Sequence, residues 1–264
     1  MEVKYIDAHC HVQFEQYDTD REEVIERMRE QGVVGIVVGC GAESSQKAIA
    51  LAEEYEHLYA AVGHHPNHLE EFEEDKIREL LSRPRVVAVG ECGLDYFRPA
   101  DVTEDVKAKQ NELLRKHIAL AAEFDKPLII HARPSKGTSD AYTELIEILA
   151  EAKTLNPNLR GDVHFFVGGE AEARALIALG FTVSFTAVIT FARDYDAVIK
   201  VLPLESILSE TDAPYVAPAS RRGERNDSLA VVEVVASLAK IRGEDVGRVR
   251  VQLCENARRL FALG

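Results

Sequence analysis

Short β-branched runs alternate with amphipathic stretches along nearly the whole chain. The runs are VKYI from Val3, VVGIVVG from Val33, LYAAVG from Leu58, VVAVG from Val86, PLIIH from Pro127, DVHFF from Asp162, FTVSF from Phe181 and SILSE from Ser206, eight strand candidates in all. Most are continuously apolar rather than alternating, as expected of parallel strands covered on both faces. Helical spacing of apolar positions occupies 19–31, 45–55, 75–81, 104–124, 139–152, 170–179, 192–201 and 229–241. Thr19 and Glu22 form a capping-box pattern at the first of these, with Gly32 as its stop. A closing helix is predicted over 245–263, where Val249, Leu253, Ala257 and Leu260 recur at helical spacing. Successive strand starts lie about 29 residues apart on average, the length of one βα unit. Eight such units predict a TIM-type (β/α)8 barrel, one domain over 1–264. A doubly wound open sheet shares the alternation, but no glycine-rich phosphate fingerprint follows the first strand. Ionisable residues instead recur after nearly every strand, and a barrel mouth gathers them.

The 264 residues, 46% hydrophobic and 29% charged, are long and apolar enough for one large α/β core and exclude disorder. Against 45 Asp and Glu stand 31 Lys and Arg, a net charge of -14. That balance argues against a broad basic track along duplex DNA and leaves room for a local cationic site. The N-terminal residues lack the sections of a secretion signal, and no apolar run approaches a membrane span of about 18 residues. A cytoplasmic protein without membrane association is expected. Cys10, Cys40, Cys92 and Cys254 are scattered without zinc-finger spacing and read as reduced thiols.

The strongest local signal is DAHCH, Asp7 to His11, at the end of the first strand. In extended backbone His9 and His11 point to one side and Cys10 to the other. Two imidazoles on a rigid strand supply half a coordination sphere, with Asp7 placed to orient a ring. Alone, His-x-His equally describes polar residues in a strand-to-helix loop. Glu91, His131, His164 and Asp212, however, also end predicted strands. Any one of them reads as a satisfied core polar group. Six such groups crowded unpaired into one barrel mouth would be costly, whereas bound cations satisfy the carboxylates and hold the imidazoles neutral. The donors suffice for one or two divalent ions (zinc, magnesium or manganese), with Glu91 as the bridge between two.

These segments, DAHCH at Asp7, VGHHP at Val62, VGECGLDYF at Val89, IIHARP at Ile129, DVHFF at Asp162, SETDAPYVAP at Ser209 and ENARRLF from Glu255, resemble the TatD family of metal-dependent hydrolases, within the amidohydrolase-like superfamily. The resemblance spans nearly the full chain. It implies a distorted TIM barrel with a one- or two-metal centre and deoxyribonuclease or related phosphodiesterase activity. It places His9, His11, Glu91 and Asp212 around one metal and Glu91, His131 and His164 around the other, and assigns His65 to substrate phosphate. Three positions depart from the family pattern beside the expected cleft. Val167 stands where a small hydroxylated residue usually precedes the glycines, Ala187 where glycine is common, and Asp227-Ser228 in place of an acidic-proline pair.

From the sequence alone, His64 and His68 compete with His65 for a phosphate role, and loop histidines commonly just face water. Arg133, two residues beyond His131, lies on the same side of an extended segment and is placed to clamp an anionic oxygen, unless it pairs with Glu91 or Asp212. In SRRGERND, Arg221, Arg222 and Arg225 read either as a solvated face or as guides for one or two backbone phosphates; Arg222 and Arg225 are the candidate substrate contacts. Tyr96 and Phe97 read as base-stacking or core-closing aromatics. Cys10 and Cys92 are expected to pack away from the ligands. The chemistry expected is hydrolysis of a DNA end or single strand by a metal-activated hydroxide. Asp212, with Glu91 beside it, is the catalytic carboxylate that orients water and accepts its proton. Ester or amide hydrolysis, as of an aminoacyl-tRNA linkage, and a non-catalytic metal-binding barrel are the alternatives; no obligate protein partner is predicted.

Overall fold

Eight parallel strands pair in sequence order. They are β1 (Tyr5–Cys10), β2 (Val33–Val38), β3 (Leu58–Val62), β4 (Val86–Asp95), β5 (Leu128–Arg133), β6 (Gly161–His164), β7 (Thr182–Phe185) and β8 (Ile207–Ser209). The helices between and after them are α1 (Arg21–Gln31), α2 (Ala42–Glu54), α3 (Glu74–Leu81), α4 (Glu104–Glu123), α5 (Asp140–Leu155), α6 (Glu170–Ala178), α7 (Asp196–Val201), α8 (Val231–Arg242) and α9 (Val246–Phe261). The computed structural model describes residues 1–68, 72–98 and 102–264. This is the (β/α)8 barrel expected from the alternation of runs. Its closure is uneven: β8 has three residues, and the seam to β1 is made by an isolated parallel bridge between Cys10 and Ala213. His11 N–H donates to Ala213 O at 2.8 Å and Asp212 N–H to His9 O at 2.9 Å across it.

Inside the barrel Ile6, Ala8, Val34, Ile36, Ala61, Ala88, Ile129 and Leu208 form one apolar cluster, and α9 caps its lower end with Ala257, Leu260 and Phe261. The outward residues of the same strands pack against the helix ring in a second, larger cluster. Alternate burial on both faces is why the strand runs are continuously apolar. Each large aliphatic side chain so buried contributes roughly 1.5–3 kcal/mol. Apart from Asp162, buried beside Ile129 with the Thr182 and Ser184 hydroxyls donating to it, the inward polar side chains named below gather toward the other rim, at the carboxyl ends of the strands, where barrel enzymes carry their chemistry.

Four local expectations change. β4 continues five residues past VVAVG, through Glu91 to Asp95. Two glycines permit this. Gly93 has φ 140°, and a Cβ there would lie 1.9 Å from His131 O, while one on Gly90 would lie 2.5 Å from Ile129 O. The capping box at Thr19 does not form: Asp20 is the residue before α1, with no side-chain cap, and its carboxylate faces Arg225 instead. The helix over 192–201 shortens to α7, preceded by a 3-10 turn at Ala187–Thr190. β1 starts at Tyr5 rather than Val3. No helix of the described residues is long and apolar enough to cross a membrane.

Candidate metal centre

His9, His131 and His164 lie in the last residues of their strands, His11 and Asp212 one and three residues beyond theirs, and Glu91 within β4, four residues before its end. β1 delivers His9 and His11 to one side, their Nε2 atoms 3.1 Å apart, while Cys10 turns its thiol to Ile36 O. Asp7 acts on the backbone, not on an imidazole: its carboxylate accepts from His9 N–H, Thr211 N–H and the Thr211 hydroxyl at 3.3, 2.9 and 2.7 Å. It thereby ties the end of β1 to the segment after β8. Asp212 follows in the left-handed region, φ 54°, which aspartate tolerates better than most residues. This turn aims Oδ1 at His11 Nε2, 3.5 Å away, and at His9 Nε2, 3.9 Å away.

Glu91 divides the site. Its Oε2 lies 3.6 Å from His9 Nε2 and 3.9 Å from His11 Nε2. Its Oε1 lies 2.9 Å from His164 Nε2 and 3.0 Å from His131 Nδ1, which are themselves 3.3 Å apart. Donors bound to one ion at about 2.1 Å in a tetrahedron stand about 3.4 Å from one another, so both groups have the spacing of a coordination shell. The facing pairs of imidazole nitrogens point to the same chemistry. At 3.1 and 3.3 Å their lone pairs repel unless a proton or a cation lies between them. His9 Nδ1 is buried and, among the described residues, has no hydrogen-bond partner. The donor set fits divalent cations.

The electrostatics say the same. Burial alone would raise the Glu91 pKa, but the His164, His65 and His131 imidazoles hold it well below the ordinary carboxylate range. Burial likewise opposes protonation of His131 and His164. Asp95 and Glu91 raise the first regardless, and Glu91 and Glu210 carry the second well above its usual value. His11 is raised against burial by Asp212 and Glu91, whereas burial and the stacked His164 lower His9. Asp212 stays low because His11 and His9 outweigh its burial. The carboxylates thus draw protons onto the imidazoles, in the places where cations would sit.

The predicted substrate contacts fall into two groups. His65 Nε2 points inward, 3.6 Å from Glu91 Oε1, and its Nδ1 accepts from Asn67 N–H at 3.2 Å. Burial pushes its pKa down to about 3, so the ring is neutral and Nε2 carries the hydrogen. His64 is held back from the site, its N–H donating to His117 Nε2 at 3.1 Å. Arg133 lies at the end of β5 with its guanidinium 4.4 Å over the Phe97 ring. The arginine loop stands apart. Arg225 donates to Gln16 O and pairs with Asp20, Arg221 pairs with Asp227, and Arg222 lies 4.1 Å over the Phe191 ring. Tyr96 is buried and bonds Glu144, while Phe97 is exposed. Cys92 points to Ile129 O.

Three contributors were not singled out in the sequence. Asp95 Oδ2 accepts from His131 Nε2 at 3.2 Å, and its Oδ1 accepts from the N–H groups of Phe97 and Arg98. Glu210 Oε1 lies 3.6 Å from His164 Nδ1. Cys40, two residues beyond the end of β2, places Sγ 3.5 Å from Glu91 Oε2. Asp95 is four residues after Glu91, hence on the same side of an extended strand; the signal existed but needed β4 to run that far.

The model of the family described as TatD related DNase matches residues 6–262. A Bacillus subtilis relative, the metal-dependent hydrolase YabD, is 38% identical over 266 residues, covering 97% of this chain and 98% of its own. A protein of Erwinia amylovora named 3'-5' ssDNA/RNA exonuclease TatD is 33% identical over 261 residues, covering 94% of this chain and 96% of its own. Among solved structures, the TatD homologue YJJV of Escherichia coli K12 superposes with a TM-score of 0.89 at 33% identity, over 100% of both chains.

Proposed function

The chain belongs to the TatD-related DNase family of metal-dependent hydrolases, and from that premise we propose that it cleaves phosphodiester bonds at the ends of single-stranded nucleic acid, DNA foremost. In this reading His9, His11, Glu91 and Asp212 hold one divalent ion and Glu91, His131 and His164 a second. The observation that carries it is Glu91, whose two oxygens face two separate sets of imidazole nitrogens. Bound cations supply Lewis acidity toward a phosphoryl oxygen and a water of lowered pKa.

The protein's own groups supply the rest. Asp212 is the least enclosed of the carboxylates facing those nitrogens, its side chain 14% exposed, and so reaches both donors and incoming water. It orients that water and takes up its proton. His65 presents a neutral Nε2–H to a phosphoryl oxygen, and Arg133, on the same strand as His131, neutralises charge developing there. Arg222 and Arg225 stand at the outer rim, where their charge acts on a strand only at a distance. The name of the Erwinia relative supports a single-stranded substrate. So does the net charge of -14, which disfavours holding an intact duplex. Four unpaired thiols suit the reducing cytoplasm.

The test is the purified protein, supplied in turn with magnesium, manganese and zinc, against single-stranded DNA and against a charged tRNA. Nucleotide release from the first alone is expected. Glu91→Ala is expected to lose bound metal by elemental analysis and at least about a hundredfold in rate. Full metal content with full activity in that variant rejects the assignment, and cleavage of the tRNA ester alone transfers the site to carbonyl chemistry.

A further inference from the structure

Two cavities flank the metal cluster, and their linings differ in charge. The larger, about 760 Å³, opens beside Cys40 and Tyr215 and sets three carboxylates, Glu15, Glu43 and Glu73, against the ammonium of Lys47. The smaller, about 400 Å³, opens beside His131 and His164; Arg133 and Lys136 line it, with no carboxylate among the described residues of its wall. In a chain with a net charge of -14, that is a local reversal of sign at the site's edge. The rest of the wall joins the aromatic and apolar side chains of Phe97, Phe165, Val167 and Tyr195 to Ser135 and Thr138, whose hydroxyls donate to Asp140. Phe97 is 49% exposed and Val167 39%, so both present unburied apolar surface.

We propose that the smaller cavity is the subsite for the terminal nucleoside of a single strand, its base stacked in the aromatic wall against Phe97. The proposal rests on the nuclease reading and deepens it. A volume of about 400 Å³ is at the small end for ligand pockets, which run from about 300 to 1,000 Å³, and suits one nucleotide rather than a length of strand. Arg133 joins the two halves of the substrate. Its guanidinium lies 4.4 Å over Phe97, and it follows His131 by two residues on β5. It therefore braces the ring by a cation–π contact while placing positive charge where the phosphate next to a stacked base must pass. Val167 fits the same role. An exposed valine offers contact area only, so at this position the wall meets the flat face of a base rather than its edge. The larger cavity, with its three carboxylates, repels the phosphates of the strand.

The experiment uses the metal-loaded protein and two single-stranded DNAs, identical except that one ends in an abasic residue. The wild type is expected to show a KM about five- to a hundredfold lower for the strand with a terminal base, the range of a base–aromatic stack. Phe97→Ala is expected to lose that discrimination and Phe97→Tyr to keep it. Val167→Trp, which fills part of the pocket, is expected to lose it as well. Binding of thymidine 5′-monophosphate is measured in parallel and is expected to weaken in Phe97→Ala by the same factor. Cleavage that ignores both the terminal base and Phe97 overturns the subsite and leaves the nuclease reading standing. Phe97-dependent binding of the mononucleotide by a protein that cleaves no strand overturns the nuclease reading and leaves the subsite standing. Failure of both measurements removes both.

Discussion

Glu91 depends on two neighbours that carry no functional group. Gly90 and Gly93 let β4 run so close to β5 that Cys92 pairs with Ile130 and Gly93 with His131. A Cβ on Gly93 would meet His131 O at 1.9 Å, with φ at 140°. Gly93→Ala is therefore expected to destabilise the fold by at least about 2 kcal/mol and to displace His131. Thermal unfolding and metal content are the measurements; an unchanged melting temperature with full metal occupancy contradicts the argument. At this scale the sequence was most legible where a residue type is rare at a strand end. His9, His11, His131, His164 and Asp212 stand out because an apolar run leads up to each. Asp95 and Cys40 do not. Asp95 lies beyond the apolar part of β4, and a cysteine after β2 has the hydropathy of the core.

Elements hold one another through polar contacts that no periodicity announces. α4 reaches the loop after β3 through buried His117, whose Nδ1–H donates to Leu113 O at 2.8 Å while Nε2 accepts from His64 N–H. The bond fixes the backbone next to His65. Burial pushes the His117 pKa down to about 4, against about 6.5 in an unfolded chain. Between those values the unfolded state binds the extra proton, so stability present above pH 6.5 is lost as pH falls toward 4, at up to about 1.4 kcal/mol per pH unit. His117→Gln keeps an acceptor and removes the titration. Its unfolding free energy is expected to flatten against the wild type by about one proton over this interval, and parallel curves reject the assignment. The capping box at Thr19 misread the same kind of contact. The rules for an isolated helix favour Thr19 and Glu22, yet α1 begins after Asp20, which pairs with Arg225 from the far end of the chain. Strand and helix order was readable from hydrophobic period; contacts between distant elements were not.

For the molecule as a whole, the rim is a concentration of acid that raises the proton affinity of His11, His131 and, most strongly, His164. Divalent ions compete with protons for these rings, so binding is expected to release protons and to weaken on acidification. Calorimetry in buffers of different ionisation enthalpy counts the protons, and a binding heat independent of buffer refutes the claim. Occupancy at a hundredfold excess over Kd is expected to add about 2.7 kcal/mol per site to folding stability, reversed by chelator. The barrel was legible at this scale because eight apolar runs at a regular interval leave few architectures. The resemblance implied a distorted barrel, but the apolar runs did not show where it closes unevenly, since the seam is made by the Cys10–Ala213 bridge, the bonds of Asp7 to Thr211 and the short β8.

That seam also sets a schedule. His9 and His11 are translated roughly two hundred codons before Asp212 and the Thr211 groups that fasten β1 in place. A nascent polypeptide that has not yet delivered Asp212 therefore has no complete nest to offer an ion, and loading with metal waits until that stretch has joined the ligands made long before it.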